Sequence, residues 1–190
     1  MIITIGGTPG AGKDTVGRIL SKKINYKYYS FGELLREIAL KEGIGIEELT
    51  SKIIQNPITD NQVDEYQEEL GSTMDNIIIV SRLGFHFIPH SLKVYLHCDE
   101  KEAARRIVED SRSSESIESV EDAVELIRKR NDNDAKRYKK FYGLDIHERT
   151  KYDIVINTTL ISADDTAQII ITMIEAYKKK EDRTIKGWKD

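Results

Sequence analysis

A glycine-rich segment at residues 7–13 limits the possible folds of this chain more than any other feature. Before it, residues 2–6 (IITIG) are apolar and mostly β-branched, which is typical of a buried parallel strand. After it, apolar residues recur at spacings of three and four, which predicts an amphipathic helix: Val16, Ile19, Leu20 and Ile24. The segment itself, GTPGAGK, satisfies the G-x-x-x-x-G-K part of the P-loop pattern between a strand and a helix. We therefore predict a phosphate-binding loop at this junction.

The residue types in this loop suit a bound triphosphate. Glycines let backbone N–H groups converge on phosphate oxygens, and we expect Lys13 to reach the β- and γ-phosphates of ATP. One position departs from the pattern, because Asp14 stands where a Ser or Thr usually contacts Mg²⁺, and Thr15 follows it. We expect Asp14 and Thr15 to be the protein groups that serve this metal. The predicted ATP-binding residues are Gly7, Pro9, Gly10, Ala11, Gly12, Lys13, Asp14 and Thr15.

Strand and helix patterns alternate along the rest of the chain. Further strands are predicted at 26–29, 77–80, 92–96 and 152–157, and helices at 34–39, 46–70 (two pieces broken at Pro57), 103–108, 120–142 and 167–177. This alternation predicts an α/β fold, a three-layer P-loop NTPase sandwich with a central parallel sheet of about five strands and helices on both faces. The polar stretches 46–70 and 111–119, the second serine-rich and loop-like, are expected to be insertions over the carboxyl edge of the sheet, where ligands bind.

Composition limits the class of protein. The chain has 190 residues and a formal net charge of −4, which fits one domain and argues against a protein that coats nucleic acid with a basic face. A single cysteine, Cys98, excludes an internal disulfide. No apolar run approaches the ~20 residues that span a bilayer, and residues 1–5 lack a secretory signal. We therefore expect a cytoplasmic protein with no membrane partner.

Several arginines are placed where a second phosphate would bind. Arg36 lies in the segment 30–36 (SFGELLR), and taken alone it is better explained as a solvated helix residue. Arg82 directly follows the buried strand 77–80, and a guanidinium fork suits a phosphate dianion better than a lysine does. Arg130, Asp134 and Arg137 stand at i, i+4 and i+7 on one face of the long helix, which fits either a phosphate-binding group or a surface salt-bridge ladder.

Taken together, these segments resemble nucleoside monophosphate kinases. The loop reads G-x-P-G-x-G-K-x-T, as in that class, and the R-x-x-x-D-x-x-R residues of the long helix precede 142–145 (YGLD) and 152–159 (YDIVINTT). This closing third is similar to cytidylate kinases, with the archaeal-type branch most similar, and the resemblance extends over essentially the whole chain. It implies Mg²⁺-assisted transfer of the ATP γ-phosphoryl to CMP or dCMP. It also implies one kinase domain (1–190) with an acceptor-binding segment at about 30–72 and a lid at about 106–137.

The resemblance also implies roles for individual residues. The expected catalytic residues are Lys13, Arg82, Arg130 and Arg137, and the expected acceptor-binding residues are Ser30, Arg36, Arg82, Arg130, Asp134 and Arg137. Either Arg105 or Arg106 resembles an arginine at the base of the lid. Two positions depart from the class. Val80 stands where many of these kinases end the third strand with an acidic residue, and Ser81 replaces a glycine.

Two other functions stay open at this stage. One is an adenylate kinase or another P-loop kinase with a small acceptor. The other is a nucleotide-binding regulator with little turnover, which the departures at Val80 and Asp14 would allow. A GTPase is disfavoured, because no N-K-x-D segment follows a later strand. We expect a monomer whose partners are ATP and a nucleoside monophosphate.

Overall fold

The computed structural model describes residues 1–55, 58–109, 119–146 and 148–186. The strands are β1 (Ile2–Gly7), β2 (Lys27–Ser30), β3 (Ile77–Val80), β4 (Leu92–His97) and β5 (Ile154–Asn157). The helices are α1 (Lys13–Ile24), α2 (Phe31–Lys41), α3 (Ile46–Gln55), α4 (Ile58–Thr73), α5 (Gly84–Phe87), α6 (Glu100–Glu109), α7 (Val120–Tyr142) and α8 (Ala163–Lys186).

All five strands pair in parallel, in the order β2-β3-β1-β4-β5. β1 is the central strand, and its Ile3 lies opposite Ile78 of β3 and Leu92 of β4. The carboxyl ends of parallel strands meet at one edge of a sheet, so the loops that follow Gly7, Ser30 and Val80 emerge side by side. The predicted α/β sandwich is thereby confirmed, and this edge is where its ligands are expected to bind.

Helices cover both faces of the sheet. On one face, Ile3 packs with Leu20 of α1 and Ile170 of α8. On the other face, Ile79 of β3 packs with Phe31 of α2. Ile3, Leu20, Ile79 and Ile170 are completely buried, and burial of each such side chain contributes about 1.5–3 kcal/mol to the hydrophobic driving force. Because neither face of β1 or β3 meets water, both strands are apolar at nearly every position rather than at alternate ones.

Some element ends differ from the sequence prediction. β2 is shifted by one residue. β5 begins at Ile154 rather than at Tyr152, because the Tyr152 N–H closes a turn with the Arg149 carbonyl (3.1 Å). The short helix α5 occupies a stretch in which the sequence predicts no element. There the Ile88 N–H donates to the Gly84 carbonyl (3.0 Å).

Two predicted features lie wholly or mainly outside the described residues. They are the helix break at Pro57 and the loop at 111–119, of which only Ser119 is described. Ser119 caps α7, because its hydroxyl accepts a hydrogen bond from the Asp122 N–H (3.0 Å). Within the described ranges, none of the helices has the length and apolar character needed to cross a membrane.

Candidate active site

The loop between β1 and α1 has the backbone shape that its glycines predict. Gly7 has φ +137°, and a Cβ there would overlap the Leu96 carbonyl oxygen. Gly10 has φ +71°, and a Cβ there would lie 2.7 Å from the Cβ of Ala103. Only glycine tolerates both the backbone angle and the close approach. The loop is therefore held tightly between β4 and α6.

The first turn of α1 and Lys13 complete the predicted phosphate-binding loop. Gly12 is the N-cap of α1, so the N–H groups of the first helical turn lie directly after the loop. The Lys13 ammonium donates a hydrogen bond to the Thr8 carbonyl (2.6 Å), which keeps the cation above the loop. Backbone N–H groups, the helix dipole and a lysine thus converge on one small volume. This arrangement is suited to binding polyphosphate.

Asp14, in the first turn of α1, contacts residues of β2 and lies near α2. Its carboxylate accepts hydrogen bonds from the hydroxyls of Ser30 (2.7 Å) and Tyr28 (2.9 Å), and it lies 4.0 Å from the Arg36 guanidinium. Burial by itself would raise the pKa of Asp14, but the Ser30 hydrogen bond, the Lys13 charge and the Tyr28 hydrogen bond outweigh it and lower the pKa below 3.8. Asp14 is therefore an anion at neutral pH, and it links the donor loop to the end of β2.

The residues near the expected metal fit a magnesium ion that ATP itself carries. Thr15 is exposed and lines the same cavity as Asp14. The described residues contain no cluster of three or more His, Cys, Asp or Glu side chains that would hold a metal ion alone. Mg²⁺ commonly takes one or two protein oxygens and completes its shell with phosphates and water. One hydroxyl and one nearby carboxylate meet that requirement.

Val80 occupies a packing position at the end of β3. Its side chain is 3 % exposed, and its Cγ2 lies 2.9 Å from where a Cβ on Gly17 of α1 would be. The apolar strand end therefore matches the close approach of α1.

Three arginines and one aspartate form a cationic cluster where α7 meets the loop after β3. Arg82, from the loop after β3, forms an ion pair with Asp134 of α7, and Arg137 lies 3.2 Å from the other oxygen of the same carboxylate. Arg137 also donates to the Tyr138 hydroxyl (2.7 Å). Burial lowers the pKa of Arg82, and the charges of Arg137 and Arg130 lower it further. Because arginine stays protonated in proteins, the cluster holds more positive than negative charge and can bind a phosphate.

Hydrophobic packing fixes α7 against α6 and against the segment that follows β3. Ala123 and Ile127 near its beginning pack with Ala104 of α6. Tyr138 near its end packs with Leu83 and Phe85. Asp134 and Arg137 are consequently buried, at 8 % and 4 % exposure. The surface-ladder interpretation of the Arg130, Asp134 and Arg137 spacing does not fit this burial.

The two lid-base candidates have different surroundings. Arg105 is half exposed and pairs with Glu102 and Glu109 on its own helix. Arg106 donates to the carbonyls of Thr158 (2.7 Å) and Thr159 (3.2 Å). The Thr158 hydroxyl in turn donates to the Ala11 carbonyl of the donor loop (3.1 Å). Arg106 therefore connects α6 to the loop after β5, whereas Arg105 stays on the helix surface.

The donor loop and the cationic cluster line one cavity of about 660 Å³. The predicted site residues that line it are Pro9, Gly10, Ala11, Gly12, Lys13, Asp14, Thr15, Arg36, Arg82, Arg130, Asp134 and Arg137. Gly7 and Ser30 are not among the lining residues: Gly7 shapes the loop and Ser30 holds Asp14. Glu102 and Gln67 line the cavity without having been predicted. The one sequence signal for Gln67 is its place on the apolar face of α4, four residues after Val63 and three before Leu70.

A solved structure with the same architecture is shikimate kinase from Acinetobacter baumannii. It superposes with a TM-score of 0.60 at 21% sequence identity, over 93% of this chain and 94% of that one. At this identity the likeness concerns the fold alone. It agrees with the parallel sheet and the covering helices described above.

Sequence relatives are more specific. This chain is 33% identical to a cytidylate kinase of Archaeoglobus fulgidus (96% of this chain, 99% of the relative). It is 36% identical to a cytidylate kinase of Sulfurisphaera tokodaii (93% and 94%). A differently named relative, an S-adenosylmethionine-dependent nucleotide dehydratase of Lacinutrix mariniflava, is 33% identical over 93% of this chain but only 36% of its own length. The sequence model of the cytidylate kinase-like family matches residues 2–160. The chain therefore belongs to the cytidylate kinase-like family.

Proposed function

We propose that this protein transfers the γ-phosphoryl group of ATP to CMP or dCMP, giving ADP and CDP or dCDP. One observation carries the proposal beyond family membership. A single cavity is lined both by a phosphate-binding loop and by a cluster of arginines. A kinase that joins two phosphate-bearing substrates needs both groups, whereas a kinase for an uncharged acceptor needs only the loop.

The chemistry requires positioning and charge neutralisation rather than a protein nucleophile. An oxygen of the acceptor phosphate attacks the γ-phosphorus, and the bond from that phosphorus to the bridging oxygen of ADP breaks. The loop N–H groups and Lys13 would hold the donor, while Arg36 and Arg82 would hold the acceptor phosphate. Arg130 and Arg137 would neutralise charge on the transferring group. Fixing two reactants in line removes much of the entropic barrier.

Asp134 would act through the arginines. Its carboxylate contacts both Arg82 and Arg137, so it sets the direction in which each guanidinium presents its remaining N–H groups. The acceptor phosphate would then meet a fixed set of donors. Such preorganisation costs no rearrangement at the moment of reaction.

Mg²⁺ is the proposed cofactor, bound together with ATP, and it would neutralise charge on the phosphates. Thr15 would contact it directly, and Asp14 would contact it through water. The Asp14 carboxylate also has Ser30, Tyr28 and Arg36 around it. Asp14 could thus serve the metal or position its neighbours. Measuring the turnover of Asp14→Asn and Asp14→Thr as a function of Mg²⁺ concentration distinguishes these two roles. A higher Mg²⁺ requirement for Asp14→Asn that Asp14→Thr corrects supports metal binding. An unchanged titration limits Asp14 to positioning its neighbours.

The proposed organisation is a single domain, residues 1–190. Residues 30–72, which include α2, α3 and α4, would form the acceptor-binding segment, and residues 106–137 would form a lid. Residues 110–118 of that lid lie outside the described part of the chain. We also take a cytoplasmic monomer as the working form, which light scattering of the purified protein would test.

The test of the function is an ADP-release assay with CMP, dCMP, UMP and AMP as acceptors. We expect CMP and dCMP to have the highest kcat/KM. A clear preference for AMP would move the protein to the adenylate kinases. ADP release with none of the four, in a protein that still binds ATP, would favour a nucleotide-binding regulator.

A further inference from the structure

We propose that Gln67 and Asp64 form a base-reading site that selects an acceptor base carrying an exocyclic amino group, cytosine, over one carrying a keto oxygen there, uracil. The inference rests on the proposed function, since it concerns the acceptor of that reaction. Both residues lie on α4 and line the cavity. The same cavity is lined by Arg36 and Arg82, the two residues proposed to hold the acceptor phosphate.

Gln67 is a buried amide with one unused acceptor. The residue is 2 % exposed, and its Oε1 has no hydrogen-bond partner among the residues that the structure describes. Leaving a buried carbonyl oxygen without a donor costs about 1–3 kcal/mol, and most buried polar groups in proteins avoid it. An apolar residue at this position would have completed the core at lower cost. The amide is therefore better explained by a ligand than by stability.

Asp64 fixes which way the Gln67 amide faces. The Gln67 Nε2 group donates to the Asp64 Oδ1 (3.3 Å). An ionised carboxylate can only accept hydrogen bonds, so the NH₂ end of the amide must face Asp64 and the Oε1 end must face away from it. The reversed amide would set two oxygens against each other. This contact therefore gives Gln67 one favoured orientation.

A third residue holds Asp64 itself. The Tyr142 hydroxyl donates to the Asp64 Oδ2. The Tyr142 ring packs edge-on against Phe87 (5.6 Å between centroids) and lies 6.1 Å from the Tyr138 ring. The orientation of the amide is thus set through Tyr142, which lies on α7, the helix that also carries Asp134.

The oriented amide complements one kind of base edge. Cytosine presents an amino donor at C4 beside the acceptor N3, whereas uracil presents the acceptor O4 beside the donor N3–H. Gln67 Oε1 would accept from the amino group, and an Nε2 proton would reach N3. Uracil would instead place its O4 against Gln67 Oε1, so that two acceptors face each other. Asp64 prevents the amide from reversing, so Nε2 cannot take the place of Oε1. Adenine has the same amino-and-acceptor edge, so this site separates amino bases from keto bases and does not separate small bases from large ones.

The walls next to this site suit the flat face of a base. Phe31, Leu35, Val63 and Leu83 also line the cavity and are apolar, and Phe31 and Val63 belong to one hydrophobic cluster. Phe31, Val63 and Leu83 are 4 %, 6 % and 4 % exposed, so their positions are fixed by the core. An apolar slot with a few polar groups at one edge is the usual form of a small-molecule site.

The experiment measures the ratio of kcat/KM for CMP to kcat/KM for UMP in wild type, Asp64→Asn and Gln67→Leu. Asparagine at 64 can donate as well as accept, so it releases the amide orientation, and leucine at 67 removes the amide. We expect the ratio to fall by roughly tenfold or more in each variant, the size of one lost buried hydrogen bond. The KM for ATP should not change. Glu65→Gln, an exposed position on the same helix, is the matched control and should keep the wild-type ratio.

The outcomes separate this inference from the function on which it rests. A wild-type protein that phosphorylates neither CMP nor dCMP overturns the proposed function. A wild type that does so, with variants that lose CMP and UMP turnover by the same factor, overturns the base-reading site alone and leaves Gln67 as a packing residue. If Gln67→Leu does not fold, the Asp64→Asn variant still tests the base-reading site. Its ratio of kcat/KM for CMP to kcat/KM for UMP either falls, which supports the site, or stays at the wild-type value, which overturns it.

Discussion

Replacing Asp134 by asparagine should destabilise the folded protein by more than any single surface ion pair is worth. Asp134 lies between Arg82 and Arg137, and the three side chains are only 11%, 23% and 5% exposed. The asparagine side chain would keep the shape but leave two buried guanidinium groups without their shared counter-charge. Breaking a buried pair in this way costs about 3–5 kcal/mol. Because Arg82 keeps some contact with water and asparagine still accepts a hydrogen bond, we expect about 3 kcal/mol.

The prediction is measured by thermal and urea unfolding. For a chain of this size each kcal/mol lowers the Tm by about 2–4 °C, so Asp134→Asn should lose about 6–12 °C. The matched control is Glu100→Gln, which removes the exposed Arg128–Glu100 pair (2.8 Å). That control should change the free energy of unfolding by less than about 1 kcal/mol.

Inorganic phosphate adds a second arm to the same experiment. If the cluster is an anion site, phosphate should replace the missing negative charge and raise the Tm of Asp134→Asn more than that of wild type. At a hundred times its Kd a bound anion contributes about 2.7 kcal/mol. The reasoning is refuted if Asp134→Asn is no less stable than Glu100→Gln, or if phosphate shifts both proteins equally.

Three further outcomes follow from the site geometry. Lys13→Ala should abolish ADP release and leave the Tm within about 2 °C, since Lys13 contacts the loop rather than the core. Lys22→Ala on the same helix is the control. Turnover by a folded Lys13→Ala protein would refute the assignment of Lys13 to ATP binding. Arg36→Ala should raise the KM for CMP at least tenfold while that for ATP changes little, and equal changes in both would mean that the acceptor end is misplaced. The pKa of Asp14 is lowered below 3.8 on folding, so its charge stabilises the fold above that pH and the benefit is lost as the pH falls through the lower folded value. Urea unfolding should therefore give a constant difference between wild type and Asp14→Asn above about pH 5 that shrinks in stronger acid; a difference that grows in acid would contradict the pKa direction.

Elements with strong local signals were predicted well from the sequence. The strand at 77–80 matches β3 to the residue, because four consecutive β-branched apolar side chains suit a strand buried on both faces. The helix at 120–142 matches α7, since Ser119 caps its beginning and Gly143, at φ +67°, ends it. α5 was missed because four residues are too few for a periodic pattern.

Contacts between distant segments could not be derived from local patterns. The spacing of Arg130, Asp134 and Arg137 places them on one helix face, but not against Arg82, which is 52 residues from Asp134. The hydroxyls of Tyr28 and Ser30 meet Asp14 only because α1 packs against β2 in the folded chain. Gln67 carries no motif at all. Its proposed role depends on the Tyr142 hydroxyl, which is 78 residues from Asp64, and on a cavity that exists only in the folded chain.

The position of β1 in the middle of the sheet has a consequence for how the protein is made. Its partners are β3, in which Ile77 pairs with Ile2, and β4, in which Leu92 pairs with Ile3. On a ribosome adding 5–20 residues per second, β1 would wait roughly 4–15 s before the first residue of β3 is even synthesised. During that interval an apolar, β-branched segment has no native strand to pair with, and it is open to association with other nascent chains. The phosphate-binding loop therefore emerges early but cannot acquire its shape until the middle of the chain has followed it.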